Sequence, residues 1–123
     1  MIKTILVVED EISLAMALSE KLTKEGFYVL RAPNGLEALD VIAKNKVDLV
    51  LLDIIMPVMD GITMLKKMRM NEESKEIPVI VLTNLNDDVK MAQALESGVY
   101  DFLVKTDWKI EDVVLKIKSK LDI

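Results

Sequence analysis

The chain has 123 residues, the length of one compact domain, and its 21 Asp+Glu against 16 Lys+Arg give a formal net charge of −5. That balance argues against direct nucleic-acid binding, which needs a dense basic face, while 51% hydrophobic residues are too many for a disordered chain. With no cysteine and no histidine, disulfides, thiol catalysis, Cys-based metal sites and a Ser-His-Asp triad are excluded, so chemistry falls to carboxylates, hydroxyls, lysines or a bound ion.

In chain order, Ile5-Leu6-Val7-Val8 is a β-branched, charge-free run that stops at Glu9-Asp10 and predicts a first strand. Ile12, Ala15, Met16, Ser19 and Leu22 then fall on one helical stripe, ended by Gly26. Tyr28 to Leu30 predicts a second strand, and Leu36, Leu39 and Ile42 a second helix. Leu49 to Leu52 is the third strand, stopping at Asp53, and Ile62, Leu65 and Met68 mark the third helix. Val79 to Leu82 follows, then a fourth stripe of Val89, Ala92 and Leu95 closed by Gly98. Phe102 to Val104 and the stripe Ile110, Val113, Val114, Ile117 and Leu121 complete the series, with Lys116, Lys118 and Lys120 expected to face water. Five methionines between Met56 and Met70 read as gap-filling around the third helix.

The strand runs are continuous rather than alternating, the mark of strands buried on both faces. Strict strand–helix alternation, five times over, implies an α/β three-layer sandwich with a parallel sheet. The unit count is too small for an eight-stranded barrel and suits a flavodoxin-like doubly wound sheet of order 2-1-3-4-5. We expect one domain over residues 1–123, with no effector domain. No charge-free stretch exceeds Ile77 to Asn86, while a membrane span needs ~20 mostly apolar residues, and acids at Glu9, Asp10 and Glu11 interrupt any secretory signal. A cytoplasmic protein is expected.

Open parallel sheets bind ligands beyond the carboxyl ends of their strands, where the strand order reverses. That point lies between strands one and three, so Glu9, Asp10 and Asp53 should share a crevice. Like charges so placed repel unless they share a cation, and an all-oxygen set with room for water suits Mg²⁺. Thr83 and Lys105 follow the fourth and fifth runs and belong on the same rim. A carboxylate trio, a hydroxyl and an ammonium together are what a phosphoryl group needs.

Four segments carry a resemblance: Ile5 to Glu11 (ILVVEDE), Asp48 to Gly61 (DLVLLDIIMPVMDG), Pro78 to Thr83 (PVIVLT) and Gly98 to Lys105 (GVYDFLVK). They resemble the receiver domain of two-component response regulators, of the single-domain chemotaxis-regulator type. The resemblance implies that Asp53 accepts a phosphoryl group from a phosphohistidine of a sensor histidine kinase or phosphotransfer protein. It implies Mg²⁺ held directly by Asp10 and Asp53, by Glu9 through water, and by the backbone carbonyl of Ile55. Lys105 would pair with one phosphoryl oxygen and Thr83 would hydrogen-bond another, with Phe102 rotating into the space that Thr83 leaves. Output would pass through the fourth helix, fifth strand and fifth helix to a downstream protein target, from a monomer or a weak phosphorylation-dependent dimer. Such a domain catalyses its own phosphorylation and slow self-dephosphorylation without being a turnover enzyme. The absent histidine fits, since the donor histidine belongs to the partner.

The chain departs from the family pattern in two places: Thr106 follows Lys105 where the family usually has a cis proline, and Asn84 follows Thr83 where a small residue is usual. Phe102 fits the aromatic switch position, and Tyr100, two residues earlier, fits it less well. Ile55 and Leu85 flank the site with side chains unable to hydrogen-bond an attacking water, from which a slow self-dephosphorylation follows. A flavin carrier on this fold would need a hydroxyl- and glycine-rich loop after strand one, which Glu9-Asp10-Glu11 is not. An aspartate-nucleophile phosphatase would need an acid where Ile55 stands. Two further readings stay open: a receiver-fold interaction module that is never phosphorylated, and a receiver fragment of a larger transcriptional regulator.

Overall fold

Each charge-free run becomes a strand in a computed structural model that describes residues 2–83, 88–99, 101–104 and 109–123, with Thr83, Asp88 and Lys90 described by backbone alone. The order is β1 (Thr4–Val8), α1 (Ile12–Lys24), β2 (Tyr28–Ala32), α2 (Gly35–Lys44), β3 (Leu49–Asp53), α3 (Gly61–Met70), β4 (Val79–Thr83), α4 (Asp88–Glu96), β5 (Asp101–Val104) and α5 (Ile110–Leu121). The five strands form one parallel sheet of order β2-β1-β3-β4-β5, as the alternation of elements predicts.

The continuous apolar runs are explained by two cores. Leu6, Val8, Val50, Leu52, Val79 and Val81 pack with α2, α3 and α4, while Ile5, Val7, Leu49, Leu51, Ile80 and Leu82 pack with α1 and α5. Successive side chains of a strand point to opposite faces, so a sheet covered on both sides needs an apolar residue at every position. Each fully buried Leu, Ile or Val contributes ~1.5–3 kcal/mol relative to exposure. Gly26 and Gly98, at φ 96° and 84°, end α1 and α4 in the left-handed conformation that glycine adopts without strain.

Helix rotation differs from the sequence expectation in three helices. In α1 the buried stripe is Ala15, Leu18 and Leu22, whereas Ile12 is 73% exposed and Met16 also faces out. Ala15 and Leu22 belong to both stripes, and the sheet takes Leu18 in place of Ile12 and Met16, a turn smaller than the ~100° between successive residues. In α2, Ala38 and Ile42 are buried and Leu36 is exposed. In α4 the whole expected stripe faces out: Val89, Ala92 and Leu95 are exposed, and Ala94 is the residue set against the core. A small side chain there lets the helix approach closely. The stripes of α3 and α5 match, with Ile62, Leu65, Met68, Val113, Val114 and Ile117 buried.

Nor are the α5 lysines a simple solvated face. Lys118 Nζ lies 3.0 Å from Glu25 at the end of α1, and Lys120 Nζ 2.8 Å from Asp101 of β5, with Lys116 at 3.8 Å from the same carboxylate. At the end of α3, Arg69 donates from Nε to the Ser97 carbonyl (3.0 Å) and from Nη1 to those of Lys75 (2.9 Å) and Ile77 (2.8 Å). Burial lowers this guanidinium's pKa from its ordinary value, opposed by nearby Glu76, and it remains a cation that fastens α3 to the far end of α4. Among the described residues, no helix is long and apolar enough to cross a membrane.

Candidate functional site

Parallel register brings the strand ends to one edge. Val8 pairs with Leu52, Asp53 with Leu82, and Thr83 with Val104. Glu9 continues the ladder by donating its N–H to the Ala32 carbonyl (3.1 Å), so β1 delivers Glu9 and Asp10 beside Asp53 at the end of β3. One carboxylate oxygen from each of Glu9, Asp10 and Asp53 lies within 4.8 Å of the others. Glu9 and Asp53 are only 3% and 6% exposed, while Asp10 opens to solvent. A shallow cavity beside Glu9 and Asp10 is walled by Ile12, Ala15, Arg31 and Pro33.

The segment after Asp53 is shaped by backbone contacts. The Ile55 N–H donates to Asp53 Oδ1 (3.3 Å), which orients the carboxylate. Ile54 and Met56 turn into the α2–α3–α4 core, leaving Ile55 exposed. Met59 N–H donates to the Pro57 carbonyl (2.8 Å) around Val58 at φ 68°, a γ-turn of the strained, positive-φ kind. Asp60 caps α3 by accepting the Thr63 N–H (2.8 Å). Gly61 N–H donates to the Ile54 carbonyl (2.8 Å), and a Cβ at Gly61 would lie 2.5 Å from the Asp53 carbonyl oxygen. Only glycine therefore lets α3 start against the backbone of Asp53.

Of the residues singled out in the sequence, Glu9, Asp10, Asp53 and Ile55 are brought together. Thr83 ends β4 on the same edge of the sheet. Phe102 is half-buried in β5 and packs against the α2–α3–α4 core. Lys105, Thr106, Asn84, Leu85 and Tyr100 lie outside the described residues. Read from the sequence, Gly61 is only the last residue of the segment Asp48 to Gly61 and carries no role, and the Val58 turn is not seen, because backbone-to-backbone approaches leave no periodicity.

Three clustered carboxylates, two of them buried, form an all-oxygen donor set that fits a hard divalent cation such as Mg²⁺. Such a cation would balance charge that burial makes costly. The family model for the response regulator receiver domain matches residues 5–118. The chain belongs to the response regulator receiver domain family.

This receiver is 36% identical over 117 residues to the transcriptional regulatory protein SrrA of Staphylococcus aureus (strain NCTC 8325 / PS 47), covering 95% of this chain and 47% of that protein. The chain thus spans about half the length of the curated relatives it matches. Among solved structures it is similar to a CheY-like receiver domain protein from Methanospirillum hungatei JF-1, with TM-score 0.92, 28% identity, and 99% and 95% of the two chains covered. It is also similar to the chemotaxis protein CheY4 of Vibrio cholerae, with TM-score 0.89, 29% identity and coverage of 97% and 98%. A putative response regulator from Chloroflexus aurantiacus J-10-fl aligns over 100% of both chains, at TM-score 0.90 and 32% identity. Phosphorylation-based two-component signalling is the expected function of a receiver domain. Receiver domains generally bind Mg²⁺ at an acidic pocket and interact with histidine kinases or phosphotransfer proteins.

Proposed function

We propose that Asp53 is the phosphoacceptor of this receiver and that Glu9, Asp10 and Asp53 form its Mg²⁺ pocket. The observation that carries this reading is the clustering of three carboxylate oxygens within 4.8 Å at the end of β3, where the strand order reverses. In the reaction, a carboxylate oxygen of Asp53 attacks the phosphorus of a partner's phosphohistidine. The P–N bond breaks, its electron pair returns to the imidazole, and an acyl phosphate remains on Asp53. Mg²⁺, when bound, offsets the repulsion between the anionic nucleophile and the phosphoryl oxygens. Asp10 and Asp53 hold it directly, Glu9 through water, and Ile55 through its backbone carbonyl.

Lys105 and Thr83 clamp the phosphoryl oxygens in this reading, and Phe102 follows Thr83. Support comes from the paired ends of β4 and β5, Thr83 and Val104, on the same edge of the sheet as Asp53. Ile55 exposes an aliphatic side chain beside Asp53, in keeping with slow self-dephosphorylation. The donor is a histidine kinase or phosphotransfer protein of the cytoplasm. Output runs through α4, β5 and α5 to a protein target, from a monomer or weak dimer; the exposed apolar side chains of Val89, Leu95 and Leu115 support that face.

Incubation with Mg²⁺ and a small acyl-phosphate donor, followed by mass measurement, tests the assignment. The expected result is a gain of about 80 Da, one phosphoryl group, that Asp53→Ala abolishes. No gain in the wild-type chain, under conditions that modify another receiver, would overturn it and leave an unphosphorylated interaction module.

A further inference from the structure

Outside the acidic cluster, the β3–α3 loop is touched by a second element. The Gly35 N–H, at the first residue of α2, donates to the Met59 carbonyl (3.1 Å). A Cβ on Gly35 would lie 2.9 Å from that oxygen and 2.9 Å from Met64 Cβ, with Met59 Cγ at 3.1 Å. Carbon contacts normally settle near ~3.5–4.0 Å. Two of these three neighbours are a backbone oxygen and the root of a side chain in α3, which cannot swing aside. The turn of α2 is itself fixed, since Asn34 Oδ1 accepts the Glu37 N–H (2.9 Å) and its Nδ2 donates back to the Glu37 carboxylate (3.2 Å).

We infer that Gly35 is a positioning residue for the cation pocket: the first turn of α2 sets the β3–α3 loop, and through it Ile55 and the Asp53 carboxylate. The loop is held at its base by Gly61 on Ile54, within itself by the Val58 turn, and from outside by Gly35 on Met59. Ile54 and Met56 are anchored in the core. A Cβ on Gly35 presses on the Met59 carbonyl and shifts the backbone between those anchors, which carries the Ile55 N–H that orients the Asp53 carboxylate. Mg²⁺ takes near-ideal octahedral geometry at ~2.0–2.1 Å, so displacements of tenths of an ångström matter at its ligands. The inference rests on the Mg²⁺ pocket proposed above.

Calorimetric Mg²⁺ titration of Gly35→Ala tests it, with Gly26→Ala as the comparison. Gly26, at φ 96° with no atom within 4 Å of where a methyl would stand, loses stability on substitution at the end of α1 away from the acids. Weakening of roughly tenfold or more is expected in Gly35→Ala, the size of effect found when supports of metal ligands are removed, and none in Gly26→Ala. Equal affinity in Gly35→Ala and wild type would overturn the inference, as would equal weakening in the two variants. A second measurement needs no variant, since the chain has only four glycines and their amide resonances are readily resolved. During Mg²⁺ titration the Gly35 and Gly61 amides should shift while Gly26 and Gly98 stay. A Gly35 amide that stays with Gly26 while Gly61 shifts overturns the role of α2. If the wild-type chain binds no Mg²⁺ at all, the pocket itself fails, and the inference with it.

Discussion

Val58 shows how much one backbone conformation governs at the residue scale. It is β-branched, 77% exposed and held at φ 68°, a region where a branched side chain crowds its own carbonyl. A positive φ costs an ordinary residue roughly 1–2 kcal/mol, and asparagine tolerates it better. Since the side chain faces solvent, little packing opposes its replacement. Val58→Asn should therefore stabilise the protein by about 1 kcal/mol, raising the midpoint of thermal unfolding by roughly 3–6 °C. Val58→Gly should gain less, because glycine also loses more chain entropy on folding. A Val58→Asn protein melting at or below wild type would show that the turn stores no strain.

At the scale of elements, the tie between α1 and α5 depends on pH. The Lys118 ammonium, through its hydrogen bond and its charge, and Lys21 more weakly, hold the Glu25 carboxyl below the usual carboxylate range. A depressed carboxyl contributes stability above its unfolded pKa and loses it as pH falls through the folded one. The gap in unfolding midpoint between wild type and Glu25→Gln should thus be full at pH 7 and close as pH drops below about 4. It should also shrink in high salt, as expected of a pair open to solvent. A gap that persists unchanged at pH 3 would mean that Glu25 acts through packing rather than charge. That pair, with the one between Lys120 and Asp101, explains why α5 departs from a plain amphipathic helix: its lysines meet carboxylates at the end of α1 and at the start of β5.

For the whole molecule, the proposed Mg²⁺ pocket implies that folding is coupled to a cation. A ligand that binds only the folded state stabilises it by about 2.7 kcal/mol at a hundred times its dissociation constant. Mg²⁺ should raise the unfolding midpoint, a chelator should reverse the rise, and Asp53→Asn should lose most of it. An unfolding curve indifferent to Mg²⁺ would remove the cation from the account of this cluster. The effect is global because Glu9, Asp10 and Asp53 come from two strands that meet only when the sheet is assembled.

Much of this architecture is legible in the chain itself. Charge-free β-branched runs mark strands covered on both faces, their alternation with helical stripes dictates the parallel sheet, and acids at the ends of the first and third runs point to the crevice. Those properties are local or follow from topology, so periodicity and spacing suffice to express them. Only the tertiary structure decided which way α1, α2 and α4 turn, because a helix rich in apolar residues has several candidate faces and the sheet chooses one. It likewise decided that Ile12, Val89 and Leu95 face out, that α5 lysines pair with Glu25 and Asp101, and that Gly35 and Gly61 brace the loop after Asp53. The Glu25–Lys118 pair joins charges 93 residues apart, and the glycine contacts are backbone approaches that carry no periodicity, so no pattern along the chain records them.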